Sequence, residues 1–122
     1  MATEIKTVIF GTEVPGNAQV GEVYGKVTTN GIINIIGLQC TVNGQIPDGA
    51  DLVFYMQIDG STEFSFPITV SDGSSYGSIA VSPNIQVYDG SIITFICSSV
   101  GSVIPGSWLE IRMNVECMVL ET

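Results

Sequence analysis

A chain of 122 residues and 12.9 kDa has room for one domain of ordinary size and none for a second with its own core. With 45% hydrophobic and only 12% charged residues it has too much to bury to be intrinsically disordered. Three basic residues, Lys6, Lys26 and Arg112, stand against twelve acidic ones for a net charge of −9, which argues against binding to nucleic acid or to anionic membranes, since both need clustered Lys and Arg.

Ile and Val together occur 30 times while Leu and Ala occur four times each, and β-branched side chains suit a pleated sheet better than a helix. No stretch of useful length has helical spacing, so the elements are strands. The first two are predicted over Glu4 to Phe10 and Gln19 to Val27. The next, Ile32 to Cys40, is apolar at both parities (Ile32 with Ile33, Ile35 with Ile36), which predicts cover on both faces, one from the partner sheet and the other from a second subunit. It lies in a charge-free run from Val27 to Pro47, but Asn30, Asn34, Gln39, Asn43 and Gln45 make that run a poor membrane span, and a water-soluble protein is expected.

Strict alternation follows. Leu52, Phe54, Met56 and Ile58 share one face and Val53, Tyr55, Gln57 and Asp59 the other; in the next run Phe64, Phe66, Ile68 and Val70 oppose Glu63, Ser65, Pro67 and Thr69. Asp59-Gly60-Ser61 is turn chemistry between them, so the two runs predict a hairpin, and Pro67 puts its strand at an edge or a bulge. A short strand is expected at Ser78 to Val81. Ile92 to Cys97 is again apolar at both parities. The last strand alternates Leu109, Ile111, Met113, Val115, Cys117 and Val119 inward against Trp108, Glu110, Arg112, Asn114, Glu116 and Met118. Turn signals recur throughout: Pro15-Gly16, Asn30-Gly31, Asn43-Gly44, Pro47-Asp48-Gly49, Asp72-Gly73, Asp89-Gly90 and Pro105-Gly106. About eight short antiparallel strands in one domain spanning 1–122 predict an all-β sandwich of the jelly-roll kind, with an immunoglobulin-like sandwich as its nearest competitor. Its core should use Phe54, Met56, Ile58, Phe64, Phe66, Ile68, Ile111, Met113 and Val115.

Chemistry has few parts here. Without histidine, the serines and cysteines lack the usual general base. Glu110 and Glu116 share a strand face but stand about 20 Å apart, too far for paired glycosidase work. The Asp-Gly pairs at Asp48, Asp59, Asp72 and Asp89 lack the spacing of a calcium loop and are read as turns, although an acidic surface leaves room for adventitious cations between subunits. Cys40, Cys97 and Cys117 sit in apolar runs, which predicts buried free thiols rather than a disulfide framework. No enzyme activity, cofactor or resident metal is expected. The residues that stand out are aromatic: Tyr76, in the polar loop with Ser74 and Ser75, and Trp108, a candidate for sugar stacking or for packing at an interface.

The segment Asn84 to Phe95, with Tyr88-Asp89-Gly90 launching a strand, then Val100-Gly101-Ser102 and Pro105-Gly106-Ser107-Trp108, resembles small β-sandwich domains of bacteriophage virion proteins. The likeness, together with the Val53 to Val70 hairpin, covers roughly half the chain. It implies a trimeric knob on a tail fibre or a trimeric decoration on a capsid. The absence of heptads or a repetitive stalk favours a decoration, or cement, protein that binds the major capsid protein from outside. A receptor-binding module recognising a host-surface glycan or protein through Tyr76, Ser74 and Ser75 is the alternative. The Met1-Ala2-Thr3-Glu4 start shows no signal peptide, so synthesis in the host cytoplasm and residence in the virion are expected. For the oligomer, Ile33, Ile35, Ile93, Phe95 and Trp108 are the predicted interface residues.

Overall fold

The computed structural model describes the backbone of residues 2–29 and 31–121 and the side-chain surroundings of residues 11–29 and 31–117. Among the described residues nine strands follow one another: β1 (Ala2–Asn17), β2 (Val23–Thr28), β3 (Ile33–Val42), β4 (Leu52–Ile58), β5 (Ser61–Thr62), β6 (Ile68–Val70), β7 (Tyr76–Val87), β8 (Ile92–Ser99) and β9 (Ser107–Glu121). The first sheet has the order β1-β9-β3-β7; in the second, β2-β8-β4-β5, β6 also pairs with β4, and every strand pair is antiparallel. From β1 to β4 and again from β6 to β9 each strand crosses to the opposite sheet. That is the jelly-roll wiring of an all-β sandwich.

Alternation sets the core. Leu52, Phe54 and Met56 from the second sheet meet Ile111, Met113 and Val115 from the first, all buried, and Ile68 and Val70 join them. Tyr24 closes one margin with its ring edge-on to Phe54, centroids 6.0 Å apart. Ile58 and Phe66 pack against this core from its rim. Val119 lies outside the described side chains. Cys40 and Cys97 are buried and Cys117 half-buried, and none is in a disulfide.

Two glycines are required by geometry. Asp59 and Gly60 both have positive φ (51° and 84°) and join β4 to β5 as a two-residue type I′ hairpin turn, in which Ile58 pairs with Ser61. Gly101 lies so close to the β3–β4 loop that a Cβ there would stand 2.7 Å from the Asp48 nitrogen and closer still to the Ile104 carbonyl. That approach lets Asp48 N donate to Ile104 O (2.9 Å) and Val103 N donate to Asp48 O (2.9 Å).

Several expectations are corrected. Phe64 belongs to no core: of the strand expected over 64–70 only β6 (Ile68–Val70) forms, and the turn over residues 64–66 that follows β5 restarts the parity count, leaving Phe64 73% exposed. Pro15-Gly16 is no chain reversal but a bulge inside β1, where the register against β9 shifts between Val14 and Asn17. β7 continues past Val81 to Val87. Asn30 of the Asn30-Gly31 turn lies outside the described residues.

The mixed parity of β3 also has a local cause. Its register against β9 shifts between Ile35 and Gly37, so Ile36 is a bulge residue, and Ile33, Ile35, Leu38, Cys40 and Val42 all reach the interior. Ile33 and Ile35 are therefore core residues rather than interface residues. The same holds for Ile93 and Phe95 on β8, which are buried between the sheets; the outward parity of that strand is Ile92, Thr94 and Ile96.

Candidate functional site

The two outward sheet faces differ in chemistry. On the second sheet, Val23 (β2) pairs with Ile96 (β8), and Ile96 pairs with Tyr55 (β4), so the three side chains form one rank across the strands. Phe64 extends the rank: its ring meets Tyr55 edge-on, centroids 5.3 Å apart and planes at 61°. Val23 is 49% exposed, and Ile92 adds a further exposed apolar side chain on β8. The outer face of an antiparallel sandwich is ordinarily polar. Here one rank is apolar across the sheet, beside a polar rank in which Gln57 Nε2 donates to Thr62 Oγ1 and Thr94 Oγ1 donates to Gln57 Oε1, both at 3.2 Å.

The first sheet is polar outside. Two ranks cross its four strands: Glu13, Glu110, Thr41 and Tyr76, and beside them Gly11, Arg112, Gln39 and Ser78. Tyr76 is 51% exposed, and its hydroxyl donates to Gln39 Oε1 at 2.8 Å, a diagonal contact that fixes the ring over β3. Arg112 Nε donates to Glu110 Oε1 at 2.8 Å, the one ion pair among the described residues. That hydrogen bond is the main reason the Glu110 carboxyl titrates below its ordinary value and Arg112 above its own, with Tyr76 adding slightly to the latter.

Trp108 stands at the start of β9 with a φ of 53°, a conformation that bulky residues seldom adopt, and is 59% exposed. Its backbone is held there: Asn43 N donates to Trp108 O at 2.8 Å and Gly44 N to Ser107 O at 3.0 Å. With Glu13, Val14, Asn43 and Leu109 it lines a shallow depression of about 120 Å³ at one end of the polar face. Of the residues singled out from sequence, Trp108 and Tyr76 thus fall at the same end of one sheet, separated by β3. Ser74 is half-buried and Ser75 exposed; Ser75 O accepts from Val42 N at 2.8 Å, so this segment is anchored to β3. Gln39, Arg112 and Glu110 were not singled out as a group, because only the β3–β9–β7 pairing brings them beside Tyr76.

Three of the four Asp-Gly carboxylates have structural partners. Asp59 Oδ1 accepts from Ile92 N (2.9 Å), Asp72 Oδ1 from Gly49 N (3.0 Å) and Asp89 Oδ1 from Gly31 N (2.8 Å). Each ties one loop to another. Among the described residues no three His, Cys, Asp or Glu side chains converge as metal ligands, and no helix is long and apolar enough to cross a membrane.

No protein-family model and no curated protein matches the chain in sequence. Solved structures do share its fold. A chain of the acidic stable capsid of Helicobacter pylori bacteriophage KHP30 superposes with a TM-score of 0.53 at 7% identity, over 98% of this chain and 100% of that one. The CBM36-1 domain of a multidomain xylanase from the hindgut metagenome of Trinervitermes trinervoides superposes with a TM-score of 0.52 at 12% identity, over 96% and 99%. At these identities the likeness is one of architecture: this chain is a jelly-roll β-sandwich like both.

Proposed function

We propose that the protein is a non-enzymatic bacteriophage structural protein that decorates and stabilises the capsid exterior as a homo-oligomer, most simply a trimer. The observation that carries this reading is the apolar rank Val23, Ile96, Tyr55 and Phe64 on the outside of the second sheet. Leaving it in water forgoes roughly 25 cal/mol for each Å² of apolar area that association would bury. With 12% charged residues, the chain has little polar surface to compensate. A second copy presenting the same chemistry covers the face, and cyclic symmetry closes such an assembly at a small number of subunits.

The contact with the coat protein is assigned to the loop end. There the β1–β2, β3–β4 and β8–β9 loops expose Val20, Ile46 and Val103, and backbone hydrogen bonds from Ala18 N to Gly106 O and from Ser107 N to Gln45 O hold them together. The jelly-roll likeness to a chain from a phage capsid, over the whole of that chain, supports the reading. The test is to label the protein in intact virions and locate the label by electron microscopy. Label spread over the shell is expected; label confined to the tail would move the role to receptor binding.

A further inference from the structure

We propose that the outer face of the first sheet binds a neutral oligosaccharide chain, a function separate from the association assigned to the second sheet and independent of where in a virion the protein sits. Five observations lead there. Two half-exposed aromatics, Tyr76 and Trp108, stand at one end of the same sheet on either side of β3, so that two strand spacings, about 10 Å, separate β7 from β9. That span suits linked sugar rings whose apolar faces stack on the aromatics. Between them lie the Thr41 hydroxyl and the Glu110 carboxylate, and the next rank along the strands, beyond Tyr76, adds the Gln39 amide, the Ser78 hydroxyl and the guanidinium nitrogens of Arg112 beyond Nε, so both kinds of hydrogen-bonding partner a sugar hydroxyl needs are present.

The groups are also held before any ligand arrives. Gln39 fixes the Tyr76 hydroxyl, Glu110 fixes Arg112, and backbone hydrogen bonds flank Trp108 in its unusual conformation, which lowers the ordering cost of binding. The charge balance selects the ligand class. Arg112 is already paired with Glu110, while Glu13 and Glu116 lie on β1 and β9 around it, so a uronic or sialic acid would meet uncompensated negative charge. An open, shallow face rather than a deep pocket fits the side of a polymer rather than a free monosaccharide.

The test is affinity electrophoresis of the intact protein through native gels containing neutral polysaccharides (xylan, laminarin, dextran or mannan), with alginate as the acidic control. Retardation by at least one neutral polysaccharide and none by alginate is expected. In Tyr76→Ala the retardation constant should weaken by about three- to tenfold, the loss of one stacking aromatic. Tyr76→Phe should retain most of it, and Tyr88→Ser, an exposed aromatic just past the far end of β7, all of it. Unchanged thermal unfolding of the Tyr76 variants excludes misfolding as the cause. No retardation by any of the four neutral polymers, or retardation that survives Tyr76→Ala and Arg112→Gln together, overturns the proposal, and neither result bears on capsid decoration.

Discussion

Phe64 meets Tyr55 edge-on outside the sandwich, with ring centroids 5.3 Å apart, while Phe54, the residue before Tyr55 on β4, is fully buried on the other side of the same strand. One strand therefore separates two apolar environments: an interior closed within the chain and a surface that a single copy leaves open.

Self-association should depend on the outer environment alone. Phe64→Ser with Ile96→Thr is expected to convert an oligomer into a species of one chain mass, read by light scattering after size exclusion. Because Phe64 is exposed, its replacement should cost the isolated fold only about 1 kcal/mol, the scale of one aromatic contact. A wild-type mass near 12.9 kDa over a wide concentration range would contradict the association.

The inner environment should respond very differently. Phe54→Ala is expected to destabilise the fold by about 3–5 kcal/mol, and Ile35→Ala by about 2–5 kcal/mol, measured by urea unfolding. Against a typical total of about 5–15 kcal/mol, either change is severe. An Ile35→Ala variant that unfolds like wild type but fails to oligomerise would restore that residue to the interface and overturn the bulge at Ile36.

The two buried thiols, Cys40 and Cys97, should be inert in the native state, and their burial should appear as alkaline sensitivity. Burial pushes Cys40 up to about 12, with Cys97 nearby adding to the shift, and pushes Cys97 up to about 11. Unfolded, both titrate near 9.0. Above that pH the unfolded chain loses protons that the folded chain keeps, so stability is complete below pH 9 and falls as pH rises toward 11 or 12. The slope of stability against pH in that window should be shallower in Cys40→Ala than in wild type. In native protein at neutral pH, the half-buried Cys117 should react with a thiol reagent before Cys40 or Cys97 does.

How much of this was legible in the sequence varies from strand to strand. Leu52 to Ile58 and Leu109 to Val115 read correctly because each is an unbroken strand buried on one face, where a period of two has one meaning. The β3 interior was misread because a bulge inserts one residue and flips the parity, although Gly37, a lone glycine inside the strand pattern, is its local sign. On β8 both faces are apolar, as read, but composition alone does not say which parity meets the partner sheet, so Ile93 and Phe95 were placed outside when Ile92 and Ile96 are. Phe64 failed because the turns before Pro67 reset the count. Tyr76 and Trp108 were legible as aromatics in polar, turn-rich surroundings; their shared sheet and their polar neighbours depend on pairings between distant strands.

Cosedimentation with purified phage capsid shells tests the proposed capsid decoration most directly. The protein should pellet with shells at a fixed ratio, and its affinity should fall only modestly from low to physiological salt, because apolar burial is screened far less than exposed charge pairs. Protein that stays in the supernatant at every salt concentration, yet adsorbs to host cells, would contradict a capsid role and assign the chain to receptor binding.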